Sequence, residues 1–185
     1  MSLLFDPKTA GLLVIDVQER LWPYIDSKAE VLHRIIQAIR VAGRLRIPIL
    51  ATEQYVKGLG STIKDVRELL DTFNAYHPIE KMTFSCLGES NVVDAVKKLN
   101  LETLFLVGIE AHVCVLQTAL EALDSGFRVF YIAEATSSRD PRHKEEAISR
   151  VRQAGGVICS VEMFAFEAMR TSEHPNFKKV QRVIV

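Results

Sequence analysis

Thr103-Leu104-Phe105-Leu106-Val107-Gly108 runs directly into Ile109-Glu110-Ala111-His112-Val113-Cys114, and the two halves of this stretch read differently. The first half is an unbroken apolar run, the pattern of a strand covered on both faces. In the second half polarity returns, and His112 to Asp124 then has the character of a helix, stopped by Gly126. A buried strand passing straight into a helix is the unit from which parallel α/β sheets are built.

The same alternation extends in both directions. Upstream, Gly11-Leu12-Leu13-Val14-Ile15 is a second continuous apolar run, ending where Asp16 restores polarity. Apolar positions at Val31, Ile35, Ile36, Ile39 and Val41 predict a helix over Ala29 to Leu45. Pro48 opens a strand, Ile49 to Thr52, and a polar stretch with Gly58 and Gly60 follows, read as a loop. Ile63 to Phe73 is a short helix, His77 to Lys81 a weaker strand, and Asn91 to Leu99 a helix. Downstream, Arg128 to Ile132 is a strand and Lys144 to Ala154 a helix closed by Gly155-Gly156. Val157 to Ser160 is a last short strand, Glu162 to Met169 a helix, and the tail past His174-Pro175 holds another turn or two. Six strands alternating with helices predict right-handed crossovers and a mostly parallel sheet. The expectation is a single three-layer α/β/α domain over residues 1–185, without repeat or linker.

Bulk composition narrows the function classes. Lys+Arg and Asp+Glu are equal at 23 each and neither sign forms a long run, so no electrostatic hold on nucleic acid or anionic lipid is expected. No segment approaches the roughly 18 apolar residues of a membrane span. The start, Met1-Ser2-Leu3-Leu4-Phe5, lacks the basic-then-apolar order of a secretory signal. Cys86, Cys114 and Cys159 are few and widely spaced, which suits free thiols in the cytoplasm rather than a disulfide framework.

In open parallel sheets, sites form beyond the C-terminal ends of the strands. That rule selects Asp16 after the first strand, Glu53 and Gln54 after the second, Lys81 after the third, and the turn leading to Cys114 after the fourth. An acid, an amine and a thiol would converge at one edge. A thiol in the first turn of a helix meets unpaired N–H groups and the positive end of the helix dipole, which favour thiolate. A carboxylate can take the thiol proton and later activate water, and the exposed N–H groups can hold an oxyanion. Gln18, Trp22, Tyr55 and Phe84 lie just past strand ends and are candidates for substrate contact, as are Glu53 and Gln54. Core or lid packing explains the first four equally well, and a surface turn explains the last two. His112, two positions before Cys114, points elsewhere on a helix, so packing or subunit contact is its expected role.

Leu13-Val14-Ile15-Asp16-Val17-Gln18, Lys81 after its weak strand, and Val107-Gly108-Ile109-Glu110-Ala111-His112-Val113-Cys114-Val115 resemble the three signatures of isochorismatase-like cysteine hydrolases. Thr52-Glu53-Gln54-Tyr55, Gly58-Leu59-Gly60 and the closing His174-Pro175-Asn176-Phe177-Lys178 resemble the branch whose substrates are unknown. The resemblance implies that Asp16 is the base, that Lys81 orients and polarises, and that Cys114 is the nucleophile. It also implies a non-proline cis peptide between Ile109 and Glu110, and an oxyanion hole formed by the N–H groups of Glu110 and Cys114. Nicotinamidases of this family bind a metal through an Asp-x-His pair after the second strand. This chain has Glu53-Gln54-Tyr55 there and no histidine between His33 and His77, so neither a metal nor any other cofactor is expected.

The reading is a metal-independent hydrolase that cleaves a small carboxamide-like substrate through a thioester, and that forms a homo-oligomer as its relatives do. Two alternatives stay open. One is a non-catalytic or redox-sensing binding protein, since a low-pKa thiol is what peroxide oxidises first. The other is vinyl-ether hydrolysis that needs Asp16 and Lys81 but not Cys114.

Overall fold

The computed structural model describes residues 3–185. Its strands are β1 (Ala10–Ile15), β2 (Ile49–Gln54), β3 (Ile79–Lys81), β4 (Thr103–Ile109), β5 (Arg128–Ser137) and β6 (Val157–Cys159). They form one sheet in the order β3-β2-β1-β4-β5-β6. Every pairing among the described residues of the sheet is parallel. The chain first winds outward from β1 to β3, then crosses back to lay β4 on the other side of β1. Neighbouring strands whose connections leave in opposite directions open a crevice at their C-terminal ends, and here that switch point lies between β1 and β4.

The helices are α1 (Lys28–Leu45), α2 (Val56–Leu59), α3 (Lys64–Thr72), α4 (Ser90–Lys98), α5 (Leu116–Asp124), α6 (Pro141–Gln153), α7 (Val161–Met169) and α8 (Phe177–Ile184). Because side chains alternate across a strand, β1 and β4 feed two separate cores. Leu12, Val14, Phe105 and Val107 point toward α1, α3, α7 and α8, while Leu13, Ile15, Leu104 and Leu106 point toward α4, α5 and α6. The continuous apolar runs of the sequence are the direct trace of this double covering. On the first face Phe105 packs at 4.7 Å from the rings of both Phe5 and Phe130, and at 4.3 Å from Phe164.

Four local features differ from the sequence expectation. β5 continues past Ile132 to Ser137, because the β4–β5 register shifts between Leu106 and Gly108 and pairing resumes at Gly108–Thr136. Its polar Glu134 hides this continuation, although the Glu134 carboxylate is used, accepting the N–H of Val161. The stretch with Gly58 folds into the short helix α2 and is stopped by Gly60 at φ +77°. α6 begins at Pro141 rather than Lys144: Asp140 caps it by accepting the Arg142 N–H at 2.9 Å, and proline suits a first helical position. Residues Ala111–Val115 form a π-helical turn, and the regular helix starts only at Leu116.

Candidate active site

Two backbone features hold the crevice in place. Gly108, paired with Ile15 and Thr136, has φ +119°. A Cβ there would fall 2.1 Å from the Ile15 carbonyl oxygen, so only glycine lets β4 approach the end of β1 so closely. Asp16 itself sits at φ +52°, a left-handed conformation that Asp and Asn adopt more readily than other side chains. The peptide bond from Ile109 to Glu110 is cis.

Asp16 and Lys81, from the ends of β1 and β3, meet as a buried ion pair with Nζ 2.7 Å from Oδ2 and both side chains 0% exposed. The Lys81 ammonium spends its hydrogens on Gln54 Oε1 at 2.7 Å and on the carbonyls of Phe84 at 3.0 Å and Thr83 at 3.1 Å. Its contact with Asp16 is therefore an attraction of charges, and Oδ2 is buried without a hydrogen bond of good geometry. The other carboxylate oxygen, Oδ1, accepts the Thr52 hydroxyl at 2.8 Å. Burial opposes the charge on Lys81, but Asp16 and the nearby thiols outweigh it and hold its pKa above the ordinary lysine value.

Cys114 is the third member of this cluster. Its π-helical turn is tied down by Tyr131, whose hydroxyl donates to the Ala111 carbonyl at 3.2 Å, and by Thr118, whose hydroxyl donates to the Cys114 carbonyl at 2.7 Å. Thr118 also accepts the Cys86 N–H at 2.9 Å, linking this turn to the segment after Lys81. The expected thiolate does not follow from this environment. Burial pushes the Cys114 thiol well above the ordinary range, the Asp16 charge and a hydrogen bond to that carboxylate push further, and Lys81 offsets only part. Cys114, a residue only 6% exposed, has lost the hydration on which the helix-dipole argument relied, and the nearby Asp16 carboxylate favours its proton. Cys114 is thus held as the neutral thiol, beside the Asp16 carboxylate.

The remaining candidates divide into two groups. Gln18 is fully buried and braces the loop over the site: its amide donates to the carbonyls of Gln54 and Gly60 and accepts the Gln54 N–H. Gln54 holds Lys81 and donates to the Met82 carbonyl. Glu53 Oε1 accepts from the Thr62 N–H, the Thr62 hydroxyl and the Tyr76 hydroxyl, all within 3.0 Å. These three side chains are engaged inside the protein, and an oxygen already taken by three donors does not fit a metal ligand. Among the described residues, no group of three His, Cys, Asp or Glu side chains is placed to hold a metal ion.

Tyr55 and Phe84, by contrast, are exposed. Tyr55 borders an open cavity of about 760 Å³ with Met82, Pro78 and Ile79 along the free edge of β3, and Cys114 is not among its lining residues. Trp22 lies in a short 3-10 turn and packs half-buried against the α1 core. Glu110 binds Arg139 through its backbone N–H and its Nε, at 3.0 and 3.1 Å. His112 turns away from the thiol, with Nδ1 2.9 Å from Ser138 Oγ and its ring 4.6 Å from that of His143. Thr52, Thr118 and Tyr131 were not singled out by the sequence. The available signal was a polar residue within or after an apolar run, which does not say whether it faces a neighbour or solvent.

Residues 10–163 match the isochorismatase domain. The chain belongs to the isochorismatase family. Isochorismatase family protein 1B of Dictyostelium discoideum is 33% identical over 177 residues, covering 94% of this chain and 85% of that protein. The secreted isochorismatase effector Isc1 of Phytophthora sojae is 33% identical over 181 residues, covering 96% and 85%. Among solved structures, the MAR1 ribonuclease of Caenorhabditis elegans superposes with TM-score 0.90 at 36% identity, covering 98% of this chain and 92% of that one. The two chains thus share one fold over nearly their full lengths. Among the described residues, no helix is long and apolar enough to cross a membrane.

Proposed function

We propose that this isochorismatase-family protein is a metal-independent cysteine hydrolase acting on a small amide-like substrate. The observation that carries the reading is the buried Asp16–Lys81 pair with the Cys114 thiol against its carboxylate. As the sulfur attacks the carbonyl carbon, Asp16 takes the thiol proton and the carbonyl electrons move onto oxygen. The N–H groups of Glu110 and Cys114 receive that oxyanion. Collapse expels the amine, which leaves with the proton held by Asp16, and a thioester remains on Cys114. Asp16 then takes a proton from water as it attacks the thioester, and returns it to the departing sulfur. Lys81, its hydrogens committed to three neutral oxygens, acts as a fixed positive charge that steadies Asp16 and the sulfur as negative charge forms.

Free, buried cysteines fit a cytoplasmic setting, and exposed Tyr55, Met82 and Phe84 fit a homo-oligomer. The nematode relative is called a ribonuclease. This chain's equal numbers of cations and anions do not favour a polyanion, so a small molecule is the preferred substrate. The test is a panel of primary amides, esters and a structured RNA with wild type and Cys114→Ala. Turnover of an amide or ester should fall by on the order of 10³-fold or more in the variant, with its circular dichroism unchanged.

One observation favours a second reading: Asp16 and Lys81 by themselves form a complete buried ion pair at 2.7 Å. Vinyl-ether hydrolysis on that pair alone predicts that Cys114→Ala keeps turnover while Asp16→Asn loses it.

A further inference from the structure

A base that must take a proton from sulfur, give it to an amine and then take one from water needs one oxygen kept in place throughout. We infer that Thr52, on β2, is a positioning residue for this chemistry, committing Asp16 Oδ1 so that Oδ2, which faces Lys81 and carries no hydrogen bond, is the oxygen left to take a proton. The inference rests on the proposed cysteine mechanism.

Three observations carry it. The Thr52 hydroxyl donates to Oδ1 at 2.8 Å, while Oδ2 stands 2.7 Å from Lys81 Nζ. The two oxygens are thus distinguished by their partners, and a half-turn of the carboxylate exchanges them only by breaking the threonine bond. Thr52 is itself 1% exposed and is paired with Ile15 of β1. The hydroxyl has a single hydrogen, and that hydrogen goes to Asp16. At the 3.7 Å contact between Thr52 Oγ1 and Cys86 Sγ, the thiol must therefore be the donor. Cys86 S–H, Thr52 O–H and Asp16 Oδ1 form a directed chain that ends on the base. A fully buried Cys86 with a donor role also explains a thiol beside the site that the mechanism does not otherwise use.

The test compares wild type, Thr52→Val and Thr52→Ser with p-nitrophenyl acetate, following nitrophenolate release and acetylation of the Cys114 peptide by mass. Misplacing a reacting group by about 1 Å can cost on the order of 100-fold, so Thr52→Val should lose about 10- to 100-fold in kcat with KM nearly unchanged. Thr52→Ser, which restores the hydroxyl, should stay within about threefold of wild type. A Val variant as fast as wild type overturns the inference, and so does a Ser variant as slow as Val, because the methyl group rather than the hydroxyl would then matter. No acetylation of Cys114 in wild type removes the cysteine mechanism itself, a separate failure from either of these.

Discussion

The carboxylate of Asp16 and the ammonium of Lys81 face each other at 2.7 Å with neither side chain reaching solvent. Strands β1 and β3, which carry them, are not neighbours: β2 lies between, so the pair spans the sheet end above Thr52 and Gln54. Breaking such a pair by removing one partner leaves an uncompensated buried charge, which costs about 3–5 kcal/mol. Lys81→Met should lose stability of that order in urea denaturation. Adding Asp16→Asn should recover part of the loss, because the orphaned charge is then gone. A single variant as stable as wild type would mean that water reaches Asp16.

The same carboxylate suppresses ionisation of Cys114. Removing its charge deletes two of the influences that raise the thiol pKa, while Lys81 still pulls it down. In Asp16→Asn the onset of Cys114 alkylation by iodoacetamide should therefore move to lower pH, by about one unit or more. Hydrolysis should disappear in the same variant, since the proton acceptor is lost. A thiol that is more reactive in a protein that is less active is the distinguishing outcome, and unchanged or slower alkylation would contradict the electrostatic account.

Gly108 admits no side chain. An alanine would bring its Cβ against the Ile15 carbonyl while holding φ at +119°. Gly108→Ala should destabilise by about 3 kcal/mol or more or fail to accumulate folded protein, read by thermal unfolding of the purified chain. A change below about 1 kcal/mol would show that β4 can move away from β1 there.

Burial also raises the thiols of Cys86, to about 11, and Cys159, to about 12, from an ordinary 9.0. Their pKa values are higher folded than unfolded. The stabilising effect is therefore fully present below pH 9 and is lost as pH rises toward the folded values, because the unfolded chain releases these protons first. Urea midpoints should fall as pH rises from about 9 toward 11, and Cys159→Ala should flatten part of that slope. An equal slope in the variant would assign the alkaline loss to other groups.

The parallel sheet was legible because doubly covered strands such as Leu12–Ile15 and Leu104–Val107 must be apolar at every position. The clustering of Asp16, Lys81 and Cys114 followed from the strand-end rule together with the family resemblance. What was not legible depends on distances and burial. Whether Cys114 is thiol or thiolate turns on losing hydration beside a carboxylate, which spacing does not encode. Gln18 and Glu53, for which substrate contact and plain packing or a surface turn read equally well in the sequence, are satisfied by partners distant in sequence, Gln54, Gly60, Thr62 and Tyr76. The π-helical turn at Ala111–Val115 has the same residues as an ordinary helix start and differs only in how the chain leaves β4.

The most direct test of the central claim is acid quenching of wild type and Asp16→Asn during turnover of p-nitrophenyl acetate, with peptide mass analysis of all three cysteines. The account predicts acetyl on Cys114 alone in wild type, at a level set by the balance of formation and hydrolysis, and a strongly reduced rate of nitrophenolate release in Asp16→Asn. Turnover with no acyl group ever found on Cys114, undiminished in Cys114→Ala, would contradict it and leave the Asp16–Lys81 pair as the working centre.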